Sequence, residues 1–196
     1  MISSIRGVLT VRDPSGVVID TAAGIGYQVE VPLGVFERLP PVGSTVQLHT
    51  ELVVREDSWA LYGFDAPMER AVFARLMGAS GVGPRLALAI LSALGPDRTV
   101  RAVRDKDLAA LSSVSGIGRK KAERITLELG DRLDDLPVSA GTPATPMPSA
   151  DAVRALVALG FPAAAAEIAI RGILDRDGPQ DTAALVRRAL SELART

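Results

Sequence analysis

Ser80-Gly81-Val82-Gly83-Pro84-Arg85-Leu86-Ala87 and Ser115-Gly116-Ile117-Gly118-Arg119-Lys120-Lys121-Ala122 are two copies of one pattern, set 35 residues apart. In each, Gly-apolar-Gly follows an apolar, helix-like segment and opens a helix with basic residues near its start. Glycine admits the positive φ and the close backbone approach that a tight turn between helices needs. The apolar residue between the glycines anchors the turn in a core. The helix that follows begins with N–H groups that have no helical partner, which is an anion site in the making. Pro84 suits a first helical turn, because the N–H it lacks would have gone unpaired there.

A matched pair of such turns resembles the helix-hairpin-helix motif, a sequence-independent binder of the DNA backbone. The residues expected to meet phosphate are Gly81, Val82, Gly83 and Arg85 in the first copy. In the second they are Gly116, Ile117, Gly118, Arg119, Lys120, Lys121 and Arg124. The competing interpretation is two structural helical hairpins with solvated basic faces. Gly24-Ile25-Gly26 has the same letters but lies between Val17-Val18-Ile19 and Tyr27-Gln28-Val29-Glu30-Val31. Its strand-like surroundings predict a β-turn with no phosphate role.

Around these copies the chain divides by character. Residues 1–64 contain short strand-like runs at 8–11, 17–19, 27–31, 46–54 and 59–62, separated by turn signals such as Asp13-Pro14-Ser15-Gly16 and Pro40-Pro41-Val42-Gly43. Five short strands in that span predict a small barrel of the OB kind. At Phe64-Asp65-Ala66-Pro67 the pattern becomes helical, with Val72, Phe73, Leu76 and Met77 on one face. Further helices are expected at 84–94, 97–104, 105–112 and 119–133. Residues 136–150 are uncharged and rich in Pro, Ser, Thr, Ala and Gly, which predicts a mobile linker. Residues 151–196 read as three short helices, and the Leu156-x-x-Leu159-Gly160-Phe161 run resembles a UBA-type bundle. The expected fold is therefore multidomain α+β: a barrel (1–64), a tandem helix-hairpin-helix domain (65–135), the linker, and a three-helix bundle (151–196).

Charge follows the same division. Residues 1–64 carry 4 basic and 7 acidic groups, residues 65–136 carry 12 and 10, and residues 149–196 carry 6 of each. Net charge over the whole chain is −1, so only the local distribution points to a polyanion partner. There are no cysteines and a single histidine, His49, which removes disulfides and Cys- or His-rich metal centres. The start, Met1-Ile2-Ser3-Ser4-Ile5-Arg6, lacks a signal-peptide pattern. No apolar run approaches the ~20 residues of a membrane span. A cytoplasmic protein with no membrane association is the expectation, with no cofactor and no metal.

One loop adds information. Arg55-Glu56-Asp57-Ser58 joins two apolar strand runs as an acidic hairpin tip. Its carboxylates repel phosphate within the ~8 Å screening length of physiological salt. Taken alone, it is simply a polar turn.

The Met1-Ile2 start, Val53-Val54-Arg55-Glu56-Asp57, Leu61-Tyr62-Gly63-Phe64, the two Gly-apolar-Gly copies and Leu156-Val157-Ala158-Leu159-Gly160 occur in one order. On these stretches the chain is similar to the RuvA family, bacterial subunits that bind Holliday junctions, over essentially its full length. The resemblance implies a non-catalytic DNA-binding subunit, and a homotetramer spreading four-way junction DNA in a plane, with one or two tetramers per junction left open. It makes Glu56 and Asp57 acidic pins at the junction centre, where four copies would keep strands apart and guide unpaired bases. It gives the C-terminal bundle to the RuvB hexameric ATPase, with the RuvC nuclease as a further partner. Leu156, Leu159 and Ile173 are the expected partner-facing residues. The chain has no Gly-x-x-x-x-Gly-Lys-[Ser/Thr] phosphate loop of its own.

Two other classes compete. A helix-hairpin-helix glycosylase, lyase or nuclease needs a base pocket and a placed nucleophile or carboxylate set. Here Lys120 and Lys121 fall at a helix start, where phosphate contact explains them more simply. A single-strand binder built on the barrel favours stacking aromatics in a basic groove. This barrel is acidic, and most of Tyr27, Phe36, Trp59, Tyr62 and Phe64 read as core.

Overall fold

A computed structural model describes residues 2–13, 15–137 and 148–193. Most of the expected linker therefore lies outside the described residues. The chain falls into two compact units, Met1–Asp65 with Met147–Thr196, and Ala66–Pro146.

In the first unit five antiparallel strands form one curled sheet: β1 (Ser4–Asp13), β2 (Gly16–Asp20), β3 (Gly26–Val29), β4 (Thr45–Val54) and β5 (Trp59–Phe64), in the order β3-β2-β1-β4-β5. β1 is long enough to pair with β4 through Ser4–Val8 and with β2 through Val8–Asp13. The strand changes register between Leu9 and Val11, and such a bulge bends a strand and sharpens its twist. A Cβ at Gly7 would stand 2.3 Å from the Asp20 carbonyl oxygen, so only glycine fits this close approach. The two edges of the sheet meet where the Glu30 N–H donates to the Leu61 carbonyl (2.8 Å) and the Gly63 N–H to the Glu30 carbonyl (2.8 Å). The result is an OB-like barrel around Leu9, Val17, Ile19, Val29, Leu48 and Phe64, all fully buried.

Residues 32–39 carry no clear strand or helix pattern in the sequence. They form a short helix, α1 (Leu33–Arg38), that buries Leu33, Val35 and Phe36. Against this region packs a bundle of α6 (Pro148–Ala158), α7 (Ala163–Asp177) and α8 (Thr182–Leu193). Arg171 of α7 is almost wholly buried: its guanidinium donates to the Val31 carbonyl (2.9 Å) and to Glu167 (3.1 Å), and lies 5.2 Å from the centre of the Phe36 ring. Arg12 lies 4.6 Å from the same ring centre and donates to the Phe36 carbonyl (3.0 Å). Burial pushes the pKa of the Arg12 guanidinium down, opposed by the charge of Asp175 on α7. The Ser149 hydroxyl donates to Glu37 (2.6 Å). The expected tethered bundle is thus seated on the barrel through cation–π and hydrogen-bond contacts that composition did not announce.

The second unit is helical: α2 (Pro67–Leu76), α3 (Pro84–Arg104), α4 (Leu108–Ser112) and α5 (Arg119–Leu129). α3 breaks at Gly95 (φ 70°, ψ 169°) with Pro96 starting its second half, the division the sequence implied between 84–94 and 97–104. Asp107 caps α4 by accepting from the Ala110 N–H (2.9 Å), so this helix begins later than 105. Ile90, Leu91, Leu111, Ile125 and Leu129 are fully buried here. The segment after α5 is held by Arg104, which donates to the carbonyls of Asp134 (2.8 Å) and Leu136 (2.9 Å), and by an Arg75–Asp135 ion pair.

Candidate nucleic-acid interface

The two Gly-apolar-Gly turns adopt one backbone conformation. Gly81 (φ 80°) and Gly116 (φ 87°) occupy the left-handed region. The next residue, Val82 or Ile117, is buried at 5% or 4% exposure. Its N–H donates back to a carbonyl three residues earlier, Ala79 or Val114, at 3.1 Å in both cases. The second glycine is then the N-cap: Gly83 (φ −91°, ψ 175°) of α3 and Gly118 (φ −87°, ψ 169°) of α5. Neither cap carries a side-chain hydrogen bond, so no oxygen of the cap residue competes for the first helical N–H groups. A Cβ added at Gly118 would meet nothing within 4 Å. The space in front of that helix start is open to a ligand.

Gly24-Ile25-Gly26 behaves differently. It turns between β2 and β3, with the Thr21 N–H donating to the Ile25 carbonyl (3.0 Å), and Ile25 is 51% exposed. Identical letters yield a buried anchor before a helix and an exposed residue in a hairpin.

The charged residues divide between the copies. Arg85 is exposed on the first turn of α3. Arg119, Lys120 and Arg124 are exposed on α5. Arg119 pairs with Glu123 (3.1 Å), while Lys121 Nζ donates to the Gly116 carbonyl (2.9 Å) and ties the turn to the helix. A residue the sequence reading passed over braces the first turn: Glu128, near the end of α5, accepts from the Ser80 N–H at 2.7 Å. That bond, aided by Arg124 and Arg132, holds the Glu128 carboxyl below the usual carboxylate range. No local signal could have found this pairing, because the two residues lie 48 apart in sequence.

In the first unit, Glu56 and Asp57 stand exposed at the tip of the β4–β5 hairpin, closed by the Arg55 N–H donating to the Ser58 carbonyl (2.8 Å). Among the aromatics expected as core, Phe36, Tyr62 and Phe64 are buried but Trp59 is 77% exposed. In the bundle, Leu156 and Ile173 are fully buried and serve as core, so they cannot face a partner in this arrangement. They belong to the inward stripe of α6 and α7, a periodicity the sequence carried without saying which side was covered. Leu159 is 61% exposed, as are Val157 (40%) and Ile168 (62%), which the sequence reading did not select. No group of three or more metal-ligating side chains occurs among the described residues, and no helix there is long and apolar enough to cross a membrane.

Comparison with known proteins agrees with this arrangement. Residues 1–63 match the family described as RuvA N terminal domain, residues 73–131 the SAM-like helix-hairpin-helix tandem, and residues 148–194 the RuvA C-terminal domain. The chain is 52% identical over 194 residues to the Holliday junction branch migration complex subunit RuvA of Gemmatimonas aurantiaca, covering 98% of both chains. It is 44% identical to the subunit of the same name from Pseudomonas syringae pv. syringae, covering 97% of this chain and 98% of that one. With an OB-like barrel, paired helix-hairpin-helix turns and a C-terminal bundle all in place, the chain belongs to the RuvA family of Holliday junction branch migration complex subunits.

Proposed function

We propose that this chain binds four-way DNA through backbone phosphates at its two helix-hairpin-helix turns, holds the junction open and planar as a homotetramer, and recruits a RuvB-type hexameric ATPase through its C-terminal bundle. The observation that carries the reading is the shared conformation of the two turns, each with an uncapped glycine start and its apolar anchor buried. Helix N-termini of this kind take phosphate oxygens without reading bases. The pattern of Arg85, Arg119, Lys120, Lys121 and Arg124 supplies the counter-charge. Four copies of Glu56 and Asp57 at the centre would keep phosphates from closing over the crossover. A head-to-tail contact that closes on itself gives such a ring. The RuvC nuclease is the further partner on this reading, and the site of action is the cytoplasm.

The test is a gel-shift comparison of a four-way junction with a linear duplex of equal length. The intact chain should prefer the junction, and Glu56→Gln with Asp57→Asn should tighten duplex binding and shrink that preference. A double variant that discriminates as well as the parent would reduce the tip to a polar turn. For the motor, Leu159→Asp should leave junction binding intact and stop ATPase-driven branch migration. If migration continues at the parental rate, the exposed end of α6 is not the docking point.

A further inference from the structure

Trp59 is out of keeping with the rest of the barrel. Phe36, Tyr62 and Phe64 are buried, yet this indole is 77% exposed, and Val54 directly opposite it in the β4–β5 ladder is 56% exposed. Facing residues of an antiparallel pair share one side of the sheet, with Cβ atoms about 4.5–5.5 Å apart. Together they make an apolar step immediately below the turn that carries Glu56 and Asp57.

We propose that the Trp59–Val54 step is a stacking platform for an unpaired nucleobase of the bound DNA. The inference rests on the junction-binding reading above and assigns a ligand-contacting role to a residue outside the phosphate site. Three arguments select a base as the occupant. The adjoining carboxylates exclude the charged backbone within the ~8 Å screening length, but not an uncharged base ring. An exposed indole face is a platform on which any base can stack, whatever its sequence context. The step is also too small for a protein partner: an aromatic side chain offers roughly 150–250 Å², against roughly 800 Å² per partner in a stable interface.

Trp59 is the chain's only tryptophan, so its emission reports on the step directly. The full chain is titrated with a four-way junction carrying mismatched, unpaired bases at the crossover, with a fully paired duplex as comparison. Quenching by the open-centred junction and not by the duplex is expected. Trp59→Ala should weaken binding of that junction about tenfold and leave duplex binding unchanged. Trp59→Tyr should keep most of the affinity, whereas Trp59→Leu, apolar but without a π face, should not. Circular dichroism checks that each variant folds. Unchanged emission on a bound junction would overturn the proposal, as would full affinity in Trp59→Leu. So would a drop in oligomer mass for Trp59→Ala by sedimentation, which would make the indole a contact between copies. A chain that binds junction and duplex equally removes the junction reading and this proposal together. Junction preference with a silent tryptophan removes this proposal alone.

Discussion

The two helix-hairpin-helix turns share a backbone and differ in almost everything attached to it. In the first, α3 starts on Pro84 with Arg85 as its single early cation, and the turn is braced from outside by Glu128. In the second, α5 starts Arg119-Lys120-Lys121, and the turn is braced from within by Lys121 on the Gly116 carbonyl. The shared part is main-chain geometry: a left-handed glycine, a buried anchor and a glycine N-cap with no side-chain hydrogen bond. The differing part is charge. One turn thus offers mainly backbone N–H groups, and the other adds side-chain cations. Two similar grips of unequal electrostatic strength should therefore respond differently to salt and to mutation.

Neutralising the stronger copy should have the largest effect. Lys120→Gln with Lys121→Gln is expected to cost more than tenfold in affinity for every DNA tested. The salt dependence of binding should flatten by about 0.9 per lost phosphate contact. Arg85→Gln should flatten it by no more than one such step. The measurement is affinity across a range of salt concentrations for two unrelated sequences. Equal losses from the two variants would erase the asymmetry, and losses confined to one sequence would argue against backbone recognition.

Within one copy, the two glycines should separate stability from binding. Gly116 sits at φ 87°, where a side chain is strained, so Gly116→Ala should destabilise the unit by about 1–2 kcal/mol in chemical unfolding. Gly118 sits in ordinary extended geometry with open space before it, so Gly118→Ala should leave the unfolding curve in place. It should nevertheless weaken DNA binding, because the added methyl stands where the phosphate must approach. Loss of stability in Gly118→Ala, or full binding by it, would break the assignment of this cap to a ligand.

These same features explain what was legible in the sequence. The strands, the turns and the break at Gly95 were readable because each depends on residues adjacent in the chain. The copy at Gly24 could be set aside for the same reason. The seating of the C-terminal bundle was not readable. It depends on Arg171 reaching the Val31 carbonyl across 140 residues, and on Arg12 and Arg171 flanking a ring of α1, a helix too short to show a period. Leu156 and Ile173 face the bundle core and not a partner, a distinction the sequence does not carry, because an apolar stripe marks burial without naming what buries it. Trp59 was the reverse case: an aromatic in a strand is core by default, and only the ladder shows it at the exposed end beneath the hairpin tip.

The smallest effect concerns the brace peculiar to the first turn. Glu128 is held below its ordinary pKa chiefly by the Ser80 N–H, so its charged form is favoured in the folded state. A depressed carboxylate contributes stability above its unfolded pKa of about 4.3, and that contribution is lost as pH falls through the lower folded value. Gln at this position still accepts from the Ser80 N–H but cannot titrate. The parent should therefore be slightly more stable than Glu128→Gln at pH 7, and the two should converge as the pH drops well below 4. Taking the difference between the two proteins cancels the other acid-labile pairs, Arg75–Asp135 among them. The second turn gives the contrast, because its brace runs from Lys121 to the Gly116 carbonyl and involves no carboxylate. A gap for Glu128→Gln that stays constant across that range would show that the charge of this carboxylate plays no part in the brace.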